Sequence, residues 1–437
     1  MTTPTPTASR SSWWNIVVPR SVQEAFGVRS IRWFLSGVGT DSFADALWLV
    51  TLGWVAGTNA SPFVYGVIMT LGTLPALGLF LFGGIASDRF GAGKVLIATS
   101  LARLLIATGW LAFAVQPAPS QTATLLVVTV IGVLADATMG YHDPARESYI
   151  TVLSGSQRLV AAANDAERLV VRVGQTAGSV TAGFLLGAAD DQRWVTAACW
   201  AGGCLATFGI FTRVRRLAPE PPPMQAESRP SLREGLAVLK GEHTLIRTYP
   251  LQSVASMAGG GAITVGGVLL VQRNGWPAST YGFAMAGYLG GLFVGARLGV
   301  WIRERGTRAP IAVAVLGSAV AACLQIVAAL VPFAWVFVVC CAMSGVSTGP
   351  MGPLLTGYAK LRAKIRQETG GDVVAGRLLA PLYFGLNLEP AGYLVVAGSA
   401  AIASPSAGIV LLAVLTLLLV VRALASPHVR AAQLPAA

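Results

Sequence analysis

Charge is what this chain has least of. Asp, Glu, Lys and Arg make up 11% of its 437 residues, against roughly 25% in ordinary soluble domains. With 54% hydrophobic residues and a mean hydropathy of +0.65, there is too little polar surface to clothe one water-soluble globule, which excludes a soluble enzyme or carrier. Histidine is nearly missing. The three present, His142, His243 and His428, read as scattered loop residues without metal-ligand spacing. The five cysteines, Cys199, Cys204, Cys323, Cys340 and Cys341, lie inside apolar runs, where they read as small reduced packing residues. No glycine-rich phosphate loop ending in Lys-Ser or Lys-Thr occurs, so ATP is not the expected energy source, and no nucleophile and base arrangement suggests catalysis. Residues 1–30 contain no continuous apolar core with a small-residue cleavage site, so no removable signal peptide is expected and the first span directs insertion. Acidic residues are the scarcer sign, 19 against 31 basic, giving a net charge of +12. The basic residues fall between apolar segments instead of forming one patch, which argues against nucleic acid as a partner.

What remains is a succession of long apolar runs. A bilayer core takes roughly 20 apolar residues per helix, so this length accommodates about twelve spans and leaves no room for a large soluble domain. Six are predicted near residues 32–56, 62–86, 95–116, 122–141, 162–188 and 194–212. Six more are predicted near 247–271, 280–301, 310–330, 333–357, 377–402 and 405–425. The expected organisation is an all-α membrane protein: an N-terminal tail over 1–31, a six-helix bundle over 32–212, a linker over 213–246, a second six-helix bundle over 247–425 and a tail over 426–437. The linker carries the run Pro219-Glu220-Pro221-Pro222-Pro223 and a short amphipathic stretch from Ser231 to Lys240.

Basic residues crowd alternate loops: Arg89 and Lys94, Arg146 and Arg158, Arg303, Arg305 and Arg308, then Lys360, Arg362, Lys364 and Arg366. Opposite loops offer little beyond Arg193 and Arg273. The positive-inside bias therefore predicts cytoplasmic termini and linker, and the few lysines beside abundant Arg, Ala and Gly point to a bacterial source, hence an inner membrane. An even number of spans around a central linker suggests two repeats with a cavity between them near the bilayer midplane. The repeat also shows in the residues. Gly84-Ile-Ala-Ser-Asp88-Arg89-Phe-Gly91 follows the second span, and Gly299-Val-Trp-Ile-Arg303-Glu304-Arg305-Gly306 follows the eighth at equal spacing, without the Asp.

The first copy, Gly84-x-x-x-Asp88-Arg89-x-Gly91, resembles the loop signature of the major facilitator superfamily, with Ala92-Gly93 where that family carries consecutive basic residues. In the family the loop Asp meets the start of the eleventh helix and stabilises the outward-facing state, which implies that Asp88 faces Gly376 and Arg377. The segment Asp143-Pro144-Ala145-Arg146, then Leu159 to Asn164, then Gly174-x-x-x-Gly178-Ser179-x-x-Ala182-Gly183, resembles the macrolide-efflux and enterobactin-exporter branch. Its last part is similar to the fifth-helix antiporter signature, with Ser179 in place of a Pro. Gly376-Arg377 is similar to a Gly-Arg of that branch. The resemblance implies secondary transport, with export favoured over uptake or lipid handling; a non-transporting receptor is the remaining alternative.

Ionisable residues within spans are costly unless paired, hydrated or neutralised, and they mark candidate sites. Asp41 and Asp45 are four residues apart on one helical face. Two carboxylates in low dielectric resist double ionisation, which makes them the preferred proton-coupling pair; a salt bridge to Arg103 or Arg172 is the structural alternative. Glu389, before Pro390, is a candidate for a proton or a cationic substrate. Asp136 and Arg172 are expected to pair between adjacent helices. Trp48, Trp54, Tyr65, Tyr288, Tyr383 and Phe384 are candidates to line a pocket for an amphipathic compound. The expected partners are a small molecule and the lipid bilayer; no cofactor or metal is expected, only the proton gradient, and the chain is expected to act as a monomer.

Overall fold

Inside a bilayer every backbone N–H and C=O needs a partner within the protein, and an apolar run meets that need by coiling. The computed structural model describes residues 20–117, 119–154, 156–188, 193–217, 241–307, 309–368, 381–382 and 384–432. After a short α1 (Arg20–Gly27), the first half consists of α2 (Arg29–Asn59), α3 (Pro62–Phe90), α4 (Ala92–Ala114), α5 (Gln121–Ser154), α6 (Gln157–Ala188) and α7 (Arg193–Leu217). The second half opens with α8 (His243–Gly260), which passes through a π-helical turn, Gly261–Val265, into α9 (Gly266–Arg273). It continues with α10 (Ala278–Glu304), α11 (Pro310–Leu330), α12 (Ala334–Thr348), α13 (Met351–Glu368), α14 (Glu389–Ile402), α15 (Pro405–Leu424) and the short α16 (Pro427–Arg430). Among the described residues, ten stretches are long and apolar enough to cross a membrane. Two expected spans fall short of that standard for visible reasons: α2 carries Arg29, Arg32, Asp41 and Asp45, and α14 has 14 residues.

Helix ends follow local chemistry. Pro62, Pro310 and Pro405 stand in first turns, where a missing N–H costs nothing. At the far ends of α3 and α10 the chain turns at Gly91 (φ 93°) and Gly306 (φ 65°), conformations that a side chain resists. The two copies of the repeated loop thus share their turning glycine. Each also sets an arginine over a ring, Arg89 on Phe90 at 5.3 Å and Arg305 on Trp301 at 4.1 Å.

Several boundaries differ from the sequence reading. The segment Asp143–Arg146, expected at a loop junction, lies inside α5, which runs on to Ser154. Pro144 does not end the helix, because a membrane bundle can satisfy the carbonyl that proline frees. The expected tenth span breaks at Gly349-Pro350 into α12 and α13. Helix α7 extends to Leu217, inside the stretch assigned to the linker, and α8 begins at His243; Ser231 to Lys240 lie outside the described residues.

The packed interior is asymmetric between the two ends. At the end bearing the 59–62, 114–121, 188–193, 273–278, 330–334 and 402–405 connections, one core draws on both halves and includes Leu47, Tyr65, Trp110, Trp200, Val268, Tyr281 and Val396. At the other end, which carries most of the basic connections, each half has its own core. One gathers Phe34, Leu96, Tyr149 and Phe211, the other Leu245, Ile311, Leu355 and Val420. The molecule is therefore sealed at one end and parted at its basic end.

Candidate functional site

The seal is made where three helices of the first half meet three segments of the second: α6 on α10, α3 on α14, and α2 on the π turn and α9. A Cβ added to Gly57 would stand 2.5 Å from Val268 Cγ1, and one on Gly187 would stand 3.2 Å from Ser279 Cβ. Two hydroxyls cross the seam. Tyr65 Oη donates to the Thr264 carbonyl at 3.1 Å, and Thr70 Oγ1 lies 3.2 Å from the Pro390 carbonyl. Thr264 belongs to the π turn, where wide coiling changes which carbonyls are engaged within the helix.

The small residues of α6 divide their work. Gly174 and Gly178 press on the α2 backbone at Gly39 and Phe43, whereas Gly183 meets Gly282 of α10. Ser179 lies between them, wholly buried. One helix is thus held by close backbone contact to its own half and to the opposite half.

In the first half, α2, α4 and α5 bring together Asp41, Asp45, Arg103 and His142. Arg103 sends one guanidinium nitrogen to Asp41 and another to Asp45. His142 Nε2 lies 3.2 Å from the free oxygen of Asp41, and its Nδ1 lies 2.9 Å from Thr99 Oγ1. The Asp41, Arg103 and His142 side chains are at most 3% exposed, while that of Asp45 keeps 27%. The structure therefore brings the expected carboxylate pair together around Arg103. His142 is the member that sequence reading misses: Tyr141-His142-Asp143-Pro144 looks like a polar turn, and no spacing signal marks it as interior. Nor are the other two histidines scattered, since His243 and His428 stack at 4.8 Å.

Asp136 and Arg172 do not pair. Asp136 accepts the Ala76 N–H at 2.9 Å, next to Pro75 in α3, and Arg172 donates to Gln175 on its own helix at 2.9 Å. The reason is packing: α5 lies along α3 and scarcely meets α6. Arg172 instead lies within electrostatic range of Tyr288 on α10 and Glu389 on α14. Glu389 accepts from Tyr393 at 3.4 Å, and its side chain rests against Gly260, whose added Cβ would stand 2.8 Å from the Glu389 Cβ. The charged groups of opposite sign, Arg172 and Glu389, thus come from different halves. On the first half a cavity of about 360 Å³ is lined by Arg146, Glu147, Asn164, Glu167, Arg168, Val171 and Arg172, all from α5 and α6. Arg146 bridges Glu167 of α6 at 2.8 Å and Asp143 at 3.1 Å.

The remaining candidates divide. Asp88 and Arg89 are exposed at the end of α3, and a Cβ on Gly84 would meet nothing within 4 Å. Gly376, Arg377 and Tyr383 lie outside the described residues. Trp48 stacks on Trp200 at 4.2 Å and meets Trp110 edge-on, so it is core and not lining. Trp54 packs beside that core, Tyr65 belongs to the seal, and Phe384 is 45% exposed.

Comparison with known proteins bears on this architecture. The family model described as Major Facilitator Superfamily matches residues 34–375. No curated protein matches by sequence. Among solved structures, the nucleoside transporter NupG is similar with a TM-score of 0.67 at 13% identity, covering 91% of this chain and 98% of its own. A bacterial homolog of the human lysosomal transporter Spinster, inward-facing and unoccupied, has a TM-score of 0.59 at 15% identity, covering 91% and 96%. The peptide transporter POT in complex with alafosfalin has a TM-score of 0.66 at 13% identity, covering 93% and 95%. At such identities the likeness is one of fold.

Proposed function

Because this chain belongs to the major facilitator superfamily, we propose that it is a proton-coupled exporter of a small amphipathic compound, working as a monomer by alternating access in a bacterial inner membrane. On this reading the basic end is cytoplasmic, as the positive-inside bias predicts, and the cavity above Arg146 and Glu167 is the loading side. The carrying observation is the placement of Arg172 and Glu389 within electrostatic range on opposite halves, with Arg172 also lining the first-half cavity, in a molecule sealed at one end. A ligand or proton that alters the attraction between these two groups changes how strongly the halves hold each other, and a transporter needs that link between occupancy and shape. The cavity wall offers charges of both signs beside the apolar stems of its arginines, which suits an amphipathic cargo. The export direction draws on the small-residue run of α6 and on the likeness of residues 143–183 to the macrolide-efflux and enterobactin-exporter branch.

One observation favours uptake as the second reading: α6 runs unbroken from Gln157 to Ala188, without the proline of the antiporter signature. The two readings part in a simple experiment. Inverted vesicles containing the chain are given candidate drugs and an imposed proton gradient. Export predicts substrate accumulation with proton release from the lumen, whereas accumulation only in right-side-out vesicles supports uptake.

A further inference from the structure

Three arginines line the cavity of the first half, and they are not engaged alike. Arg146 is held by Glu167 at 2.8 Å and by Asp143 at 3.1 Å. Arg168 is exposed and within electrostatic range of Glu147 and Glu167. Arg172 is half-buried, and its bonded partner among the described residues is a neutral one, the side-chain amide of Gln175 at 2.9 Å. A guanidinium carries five N–H donors in a flat fork, so most of the fork is left unused. Glu389 of the other half attracts Arg172 across space, but its carboxylate takes its hydrogen bond from Tyr393.

Asn164, Arg168 and Arg172 follow one another at four-residue steps on α6, and Gln175 comes three residues later. That spacing puts them on one side of the helix, with a rise of about 6 Å per step. One turn beyond Arg172 the helix enters the contact between halves: Thr176 Oγ1 stands 3.7 Å from where a Cβ on Gly290 would be, and Gly183 meets Gly282. Arg172 is therefore the inner end of a polar stripe, just short of the point where α6 closes on α10.

The acids of the cavity do not complete this arginine. Glu167 is committed to Arg146, and Glu147 is exposed, where water serves its charge. A half-buried cation in a membrane protein with no anion bonded to it is costly. The guanidinium fork matches paired oxygens, two at once, in a carboxylate or a phosphate.

We infer that the cargo carries an acidic oxygen group, a carboxylate or a phosphate, which Arg172 grips and Arg168 draws in along the stripe. The inference rests on the reading of this cavity as the loading site and names the cargo class for it. An acid on Arg172 also competes with Glu389 for the same positive charge, so loading loosens one electrostatic tie between the halves.

The test uses the full chain without its five cysteines, carrying Val171→Cys as a thiol in the cavity wall, in lipid nanodiscs. Three methanethiosulfonate reagents ending in a sulfonate, a trimethylammonium and a hydroxyl are compared, each rate divided by its rate with free mercaptoethanol. After that correction the sulfonate reagent is expected to outpace the ammonium reagent about tenfold, the effect of a nearby positive charge in a medium less polar than water. Arg172→Gln and Arg168→Gln each lower the ratio several-fold, whereas Arg172→Lys keeps it. Asn164→Cys repeats the measurement if Val171→Cys does not fold. Equal rates, a preference for the ammonium reagent, or a ratio indifferent to both arginines overturns the proposal. Benzoate, phenyl phosphate and benzylamine then compete with the labelling. Slower labelling with an acid supports the proposal and shows which oxygen group is preferred; protection by benzylamine equal to that by the acids, or none by either acid, overturns it. Transport in vesicles is read separately. Acids that protect but are never moved leave the site and remove the export reading; export of neutral or cationic compounds that acids do not inhibit keeps that reading and removes the acidic cargo.

Discussion

Gly183 of α6 lies so near Gly282 of α10 that a Cβ on the first would stand 2.5 Å from the Cα of the second. These two residues join the halves of the molecule backbone to backbone, at the sealed end. A valine at either position must push the helices apart, at an overpacking cost of about 1–3 kcal/mol. Gly183→Val is therefore expected to disfavour the sealed state. In a background without the five native cysteines, a thiol placed at Ser279 should become more reactive to a membrane-impermeant maleimide added from the sealed side; unchanged reactivity contradicts this account of the seal.

The crossing hydroxyls make a milder prediction. Tyr65→Phe deletes the bond to the Thr264 carbonyl while keeping the ring, so the seal loses about 1 kcal/mol, roughly fivefold in the ratio of the two states. Spin labels on the two halves at the sealed end should show a larger separated fraction by that factor, with little change in thermal stability.

Arg103 predicts a stability effect. Removing it leaves Asp41 and Asp45 facing each other, and breaking a buried pair in this way costs about 3–5 kcal/mol. Arg103→Gln should lower the unfolding temperature of the detergent-solubilised chain markedly. Adding Asp45→Asn should recover part of that loss, since one of the two orphaned charges is then gone.

On the second half, Glu389→Gln keeps size and hydrogen-bonding capacity but fixes the charge at zero. If Glu389 exchanges a proton during the cycle, the variant should retain substrate exchange between equal pools, with a rate that no longer depends on pH, while losing uphill transport driven by a proton gradient. Wild-type pH dependence of exchange in the variant would remove Glu389 from the coupling path. Arg172→Ala should weaken substrate binding and leave the fold intact.

The repeated loop separates two glycines of one motif. Gly91→Ala meets a positive φ and should cost about 1–3 kcal/mol. Gly84→Ala has open space around it and should be neutral or gain up to about 1 kcal/mol in helix propensity. Thermal unfolding of the two variants side by side checks the contrast.

Most of the scaffold was legible in the sequence because hydropathy is a local signal, and in a bilayer local satisfaction of the backbone decides where helices form. The twinned glycine loops and the face shared by Asp41 and Asp45 were legible for the same reason, since each is a matter of spacing. Partnership was not. Arg103 emerges as the partner of both acids only once α4 is laid against α2, and Arg172 turns from Asp136 toward Glu389 because α6 packs on the opposite half. His142 was hidden by its neighbours: a proline and an aspartate beside it mimic a turn, and the continuation of α5 through Pro144 depends on surrounding helices that a one-dimensional pattern does not contain.

The seal between Gly183 and Gly282 also bears on how the molecule can be blocked. At this point the contact is main chain against main chain, with no room for a ligand group between the two glycines. An inhibitor that holds the chain in this state finds its larger opening where Arg146, Glu167, Arg168 and Arg172 line a cavity. On the proposed orientation, such an inhibitor must first cross the membrane.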